Sequence, residues 1–116
     1  MSIAGPAKRT IKKRGKTMSE KFILYVGLND KDTKTQLVNT TEAKGNIADI
    51  CGNCTISEVY GAYVHDDGTK IKETTLKVEL LFISYLTAVK LAKDIKKALN
   101  QESIALERVN TDSTLI

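Results

Sequence analysis

The chain has 116 residues, 41% hydrophobic and 28% charged, with two cysteines, one histidine and a formal charge of +4. Those values support one packed domain without disulfide staples, and no apolar run approaches the ~20 residues of a membrane helix, so a cytoplasmic protein with reduced thiols is predicted. The positive charge is localised: residues 1–17 carry Lys8, Arg9, Lys12, Lys13, Arg14 and Lys16 without an acid, leaving 12 basic against 14 acidic side chains, a net of −2, for the other ninety-nine residues.

This division predicts a basic tail over residues 1–18 and a single domain over 19–116. The tail buries too little to offset its ordering entropy and is read as a disordered, solvated extension, with Met18 an alternative start. It is also the one segment suited to nucleic acid, which the acidic body does not favour.

The first predicted strand covers about Lys21–Leu28, where Phe22-Ile23-Leu24-Tyr25-Val26 suits a strand buried on both faces. The turn formers Asn29-Asp30-Lys31-Asp32-Thr33 follow, and a helix is predicted from about Asp32 or Thr33 to Gly52, with a stripe through Leu37, Val38, Thr41, Ile47, Ala48, Ile50 and Cys51. Gly45 lowers its stability by about 1 kcal/mol relative to Ala and predicts a bend. Strands are predicted over Thr55–Val64 and Lys70–Ile83, joined antiparallel through an Asp67-Gly68 hairpin turn with positive φ. Ser84 is the predicted cap of a second helix reaching Leu99, with Leu86, Val89, Ile95 and Leu99 inward, Ala88, Leu91, Ala92 and Ala98 flanking, and Lys90, Lys93, Lys96 and Lys97 outward. A last strand is predicted over Ser103–Val109, then a polar piece from Asn110 to Thr114.

The order βαββαβ is that of the ferredoxin-like α+β sandwich: a four-stranded antiparallel sheet with both helices on one face and strands one and three in the centre. The other face stays open to a ligand or to another copy of the chain.

Four constellations carry candidate chemistry. Cys51-Gly-Asn-Cys54 has redox or half-zinc spacing, but it falls at a helix C-terminus, where the dipole disfavours a thiolate, and the ligands for a four-coordinate zinc are lacking; structural thiols are expected, with an intersubunit or redox role the lesser reading. His65-Asp66-Asp67 reads as turn chemistry at a wet hairpin tip. The first strand resembles the first motif of RNA recognition domains, but Thr75–Phe82 lacks their second, glycine-aromatic motif, which makes RNA binding a weak alternative. The turn Asn29, Asp30, Lys31, Thr33 and Lys34 is the preferred candidate, because the expected helix N-terminus there favours a phosphate or carboxylate. Tyr60, Tyr63 and Glu73 are candidate stacking or ribose contacts. Asn100 and Gln101, in Asn100-Gln-Glu-Ser103, form a second polar cluster. That cluster and the hairpin are expected at the end of the domain opposite the Asn29–Lys34 turn, joining it only across a subunit interface.

The pattern Tyr25-Val-Gly-Leu-Asn-Asp-Lys-Asp-Thr-Lys-x-Gln36, Gly61-x-Tyr-x-His-Asp-Asp-Gly68, Glu73-x-x-Leu76 and Leu99-Asn-Gln-Glu-Ser103 resembles an uncharacterised family of small ferredoxin-like proteins of clostridia and related Firmicutes, their phages and mobile elements. The resemblance spans about residues 19–107 and implies the fold, a stand-alone cytoplasmic protein and, in a phage, an anti-defence role. It supplies no catalytic residues. The expectation is therefore a non-enzymatic protein without metal or cofactor that binds a small anionic or nucleotide-like ligand, such as an immune signal, and forms homo-oligomers through its sheet face or edge. A protein-interaction module blocking a host defence nuclease is the alternative from another class, and an enzyme using His65 with Asp66 or Asp67 is a weaker one.

Overall fold

Alternation fixes the first strand: Phe22, Leu24, Val26 and Leu28 are all buried and all point to one side. In the structure, a computed structural model describing residues 17–116, this strand is β1 (Thr17–Gly27), followed by α1 (Thr40–Cys51), β2 (Thr55–Val64), β3 (Lys70–Leu81), α2 (Tyr85–Ala98) and β4 (Ala105–Thr114). The basic stretch read as a disordered tail lies outside the described residues. The strands form one antiparallel sheet in the order β2-β3-β1-β4, the ferredoxin-like arrangement with strands one and three central.

The core lies between one sheet face and the two helices. Leu76, Val78 and Leu80 of β3 join the β1 row, and Ala43, Ile47, Ala88, Ile95 and Leu99 close it from the helices. Ile23, on the opposite face, is also buried, in register with Glu79 on one side and Glu107 on the other, as expected of a central strand. Among the described residues no helix is long and apolar enough to cross a membrane.

The first helix begins seven residues later than Thr33. The turn formers close a loop of their own: Asp32 N and Thr33 N both donate to the Asp30 carboxylate, Lys34 N donates to Asp30 O, Asp30 N to Thr35 O, and Asn29 bridges to Gln36. Lys34 then takes φ +62°, which ends any helical continuation. The real start is Asn39-Thr-Thr-Glu42, where Asn39 Oδ1 accepts Glu42 N at 3.1 Å and Val38 and Ala43, flanking the cap, both reach the core. Gly45 lies on the exposed side of a helix that runs unbroken to Cys51, so it does not interrupt the helix.

Other boundaries moved for similar reasons. Phe82 adopts φ +61° and ends β3 at Leu81. β1 starts at Thr17 and, through a bulge between Met18 and Glu20, pairs with β4 as far as Thr114, so the piece expected to be irregular is strand. Ser84 caps α2 as predicted, its Oγ accepting Thr87 N, but Leu86 in the first turn is 77% exposed; the buried stripe is Ala88, Ile95 and Leu99. The hairpin closes as predicted with φ +89° at Gly68. Strands overhanging the helices give a 50 × 25 × 21 Å shape and a radius of gyration of 15.7 Å, against about 13 Å for a compact 100-residue domain.

Replacing Asn39 by Ala should lower stability by about 1 kcal/mol. Asp32→Ala removes an acceptor of Asn100 but no helix cap, so it should leave helical content within error, and a loss of helical content equal to that of Asn39→Ala would contradict this helix start.

Candidate functional site

In a βαββαβ chain each helix carries the chain back along the sheet, so the β1–α1 loop, the β2–β3 hairpin and the α2–β4 loop emerge at the same end. The expectation that the last two lie opposite the first is therefore overturned within a single chain. Lys31 N donates to Asn100 O at 3.0 Å, and Gln101 Nε2 donates to Asn29 O at 2.9 Å. No subunit interface is needed to join these loops.

A pocket of about 270 Å³ opens at this end, on the sheet face that the helices leave bare. Tyr25, Gly27, Glu73, Thr75 and Tyr63 form its floor from alternate, outward-pointing positions of β1, β3 and β2. The Asn29–Lys34 loop and residues Gln101–Ala105 supply two walls, with His65 at the hairpin lip. Of the predicted site residues, Asn29, Asp30, Lys31, Lys34, Tyr63, Glu73 and Gln101 are brought together. Thr33 is exposed outside the pocket, its hydroxyl bonded to that of Thr35. Tyr60 is paired with Thr74 on the helix-side face and is 74% exposed, away from the pocket. Asn100 stands behind the loop, its side-chain amide donating to Asp30 Oδ1 at 2.8 Å and Asp32 Oδ2 at 3.0 Å.

Glu73 is the carboxylate fixed on the pocket floor. Its carboxylate lies across β1 and accepts the Asn29 N–H through Oε2 at 3.0 Å. Gly27 makes room for it, since a Cβ there would overlap the carboxylate; Gly61 similarly makes room for Thr75 Oγ1. No cation among the described residues forms an ion pair with Glu73. Lys34 reaches Glu102 at 3.9 Å, an exposed and weak contact, while Lys31 has no ion-pair partner there.

Partial burial, followed by the negative charges of Glu73 and Glu102, pushes the Tyr63 phenol above its ordinary value, so it stays a neutral hydrogen-bonding group. The Tyr25 phenol is raised chiefly by donating to Glu107 at 3.0 Å. The outward positions of β3 beside Tyr25, Thr75 and Lys77, offer no second aromatic for base stacking, which disfavours the RNA-recognition reading. Hydrogen bonds from Asn100, Thr33 and Asp32 hold Asp30 below the usual carboxylate value.

Sequence reasoning did not place Tyr25, Gly27 or Thr75 among the site residues, and took Glu102 only as part of the Asn100–Ser103 polar cluster. The signal for the first two was present: positions 21, 23, 25 and 27 alternate with the core row and must share the open face. His65 was read as turn chemistry; its backbone does close the hairpin, and its ring meets Tyr63 with centroids 5.7 Å apart. Cys51 and Cys54 lie at the opposite end of the sheet as free thiols, and burial first, then the neighbouring Cys54, pushes Cys51 up to about 11, which leaves it a poor nucleophile.

No family model and no curated protein matches the chain. Among solved structures, a phage SAM lyase in complex with S-methyl-5′-thioadenosine is similar, with TM-score 0.66 and 16% identity over 90% of this chain and 96% of that one. A phage SAM lyase in its apo state gives TM-score 0.61 at 14% identity over 91% and 96%. CutA from Synechococcus elongatus gives TM-score 0.50 at 10% identity over 85% and 86%. At these identities the likeness concerns the fold.

The depressed Asp30 value has a definite sign. Its ordering of the loop is fully present above the ordinary carboxylate value and is lost as pH falls through the lower folded value. The Asn100 side-chain amide resonances should therefore hold their shifts from neutrality down to about pH 4 and move only below it. Movement already near neutral pH would contradict the Asp30–Asn100 link.

Proposed function

We propose that the open-face pocket binds a nucleoside-class small molecule, with Glu73 accepting ribose hydroxyls and Tyr63 covering the base or sugar. The observation that carries this reading is the Glu73 carboxylate, aimed by a backbone N–H over Gly27 and left without a cation. A carboxylate so placed suits a vicinal hydroxyl pair, as acidic residues do in dinucleotide sites. The expected anion cradle loses its main support, because the N-terminus of α1 lies at Thr40, beyond the loop. Glu73 and Glu102 oppose a polyphosphate, and about 270 Å³ is small for a dinucleotide, since small-molecule pockets span about 300–1,000 Å³. A nucleoside without phosphates fits better, and the S-methyl-5′-thioadenosine bound by the structurally similar phage lyase is of that class.

In a phage, sequestration of a nucleoside-like host signal is the role this reading gives the protein, in the cytoplasm and without a cofactor. It agrees with the family resemblance carried by Tyr25–Gln36 and Leu99–Ser103. Turnover of SAM is the second reading, favoured by the 96% coverage of the lyase fold and by a pocket that offers an acidic group to a sulfonium substrate. Calorimetric titration with S-methyl-5′-thioadenosine, SAM and ATP should show the first two binding at least tenfold more tightly than ATP. Glu73→Gln should weaken them about 10–100-fold, the value of a lost charged hydrogen bond of about 1.5–3 kcal/mol. Release of S-methyl-5′-thioadenosine from SAM would select the enzyme over the binder. A flat response to all three ligands would overturn both.

A second copy of the chain is the proposed protein partner. β2 is an edge strand that exposes Val59, Tyr60, Tyr63 and Val64 over both of its faces, an unprotected edge of the kind that pairs with another strand. Native mass spectrometry should show an oligomer that Val59→Lys dissociates, and a monomer at micromolar concentration would contradict this assembly.

A further inference from the structure

At the end of the sheet opposite the nucleoside pocket lies a larger cavity, about 640 Å³, whose lining includes Cys51, Cys54, Glu79, Leu81, Phe82 and Leu115. The two cysteines are brought together by an unusual turn. α1 ends at Cys51, Gly52 takes φ +76° and ψ −65°, and Asn53 N donates back to Cys51 O at 2.9 Å. Those angles and that i to i+2 bond define the γ-turn with positive φ, a rare and strained form that a glycine can hold. It folds the chain back so that both half-buried thiols line the same cavity. A helix end could pass into a strand through a commoner turn; this one has the specific effect of converging two sulfurs on a mostly apolar cavity. Glu79 is the charged side chain lining that cavity, and its carboxylate is held by Lys21 at 3.2 Å.

We infer that Cys51 and Cys54 form a two-coordinate thiolate site for a soft monovalent cation of the Cu(I) class. Softness selects the ion: thiolates in an apolar setting favour Cu(I) over hard cations. Coordination number excludes structural zinc, which takes four ligands, since no cluster of three or more His, Cys, Asp or Glu suited to a metal occurs among the described residues. On binding, each S–H gives its proton to water and each sulfur forms one bond to the ion, which keeps its +1 charge, so no oxidant or reductant enters. The backbone is already bent for this arrangement, and Leu81, Phe82 and Leu115 line the same cavity as the two sulfurs.

The test is an anaerobic titration of the full, reduced chain with Cu(I) against a chromophoric Cu(I) chelator. One equivalent should be withdrawn from the chelator, with a near-ultraviolet thiolate-to-copper absorption. Cys51→Ser and Cys54→Ser, each checked for an unchanged circular dichroism spectrum, should both lose that competition. Gly52→Ala keeps both sulfurs but strains the turn, and should weaken binding about 10–100-fold, the range for disturbed metal-supporting residues. Affinity in either serine variant equal to that of the parent chain, an unaffected Gly52→Ala, or Zn(II) displacing Cu(I) at equal concentration would overturn the assignment.

Discussion

The central position of β1, flanked by β3 and β4 and buried along its helix-side face, is the constraint on which the rest of the molecule depends. One face carries Phe22, Leu24, Val26 and Leu28 under the two helices; the other carries Ile23, buried in register with Glu79 and Glu107. A strand so enclosed has a neighbour on each side, which places β3 and β4 against it and leaves β2 at the edge. The pleat then decides the site. Residues alternating with the core row, Tyr25 and Gly27, emerge on the uncovered face at the end where three loops converge, and β3 contributes Glu73 and Thr75 by the same rule.

Those loops are tied to each other by polar contacts. Asp30 organises its own turn and is bound from behind by Asn100, while Gln101, itself buried, reaches the carbonyl of Asn29. Among the described residues, two of the three at positive φ other than glycine, Lys34 and Asn100, belong to this arrangement. Backbone strain in this half of the molecule therefore coincides with the walls of the pocket, where a defined rim matters more than local stability.

The fold was legible because its signals are redundant: a continuous apolar run in β1, alternation in β3, an Asp-Gly hairpin, and Ser84 before an amphipathic stretch all point to one topology. The site was legible in part. Asn29, Lys31 and Lys34, expected at a helix N-terminus, and Tyr63 and Glu73, expected as stacking or ribose contacts, line one pocket, but the helix N-terminus expected beside the first three lies elsewhere. Asp30 misled because aspartate serves equally as a helix cap and as the anchor of a closed turn, and sequence does not separate the two. The decisive cue lay further on, in Asn39 and Glu42, whose spacing is that of a capping box. The placement of Asn100 and Gln101 was a topological error, correctable from the element order alone. Tyr60 failed for a different reason: register assigns alternate β2 residues to opposite faces, and register was not fixed until the pairing with β3 was known.

The close approach of Glu73 to Gly27 ties two positions 46 residues apart into one hereditary unit. A chain that drifted to any larger residue at 27 would have to surrender the long acid at 73 or rebuild the strand beneath it. Changes confined to the rim lysines carry no such debt, so descendants of this sequence could alter the charge around the pocket mouth far more readily than they could relocate the acid at its floor.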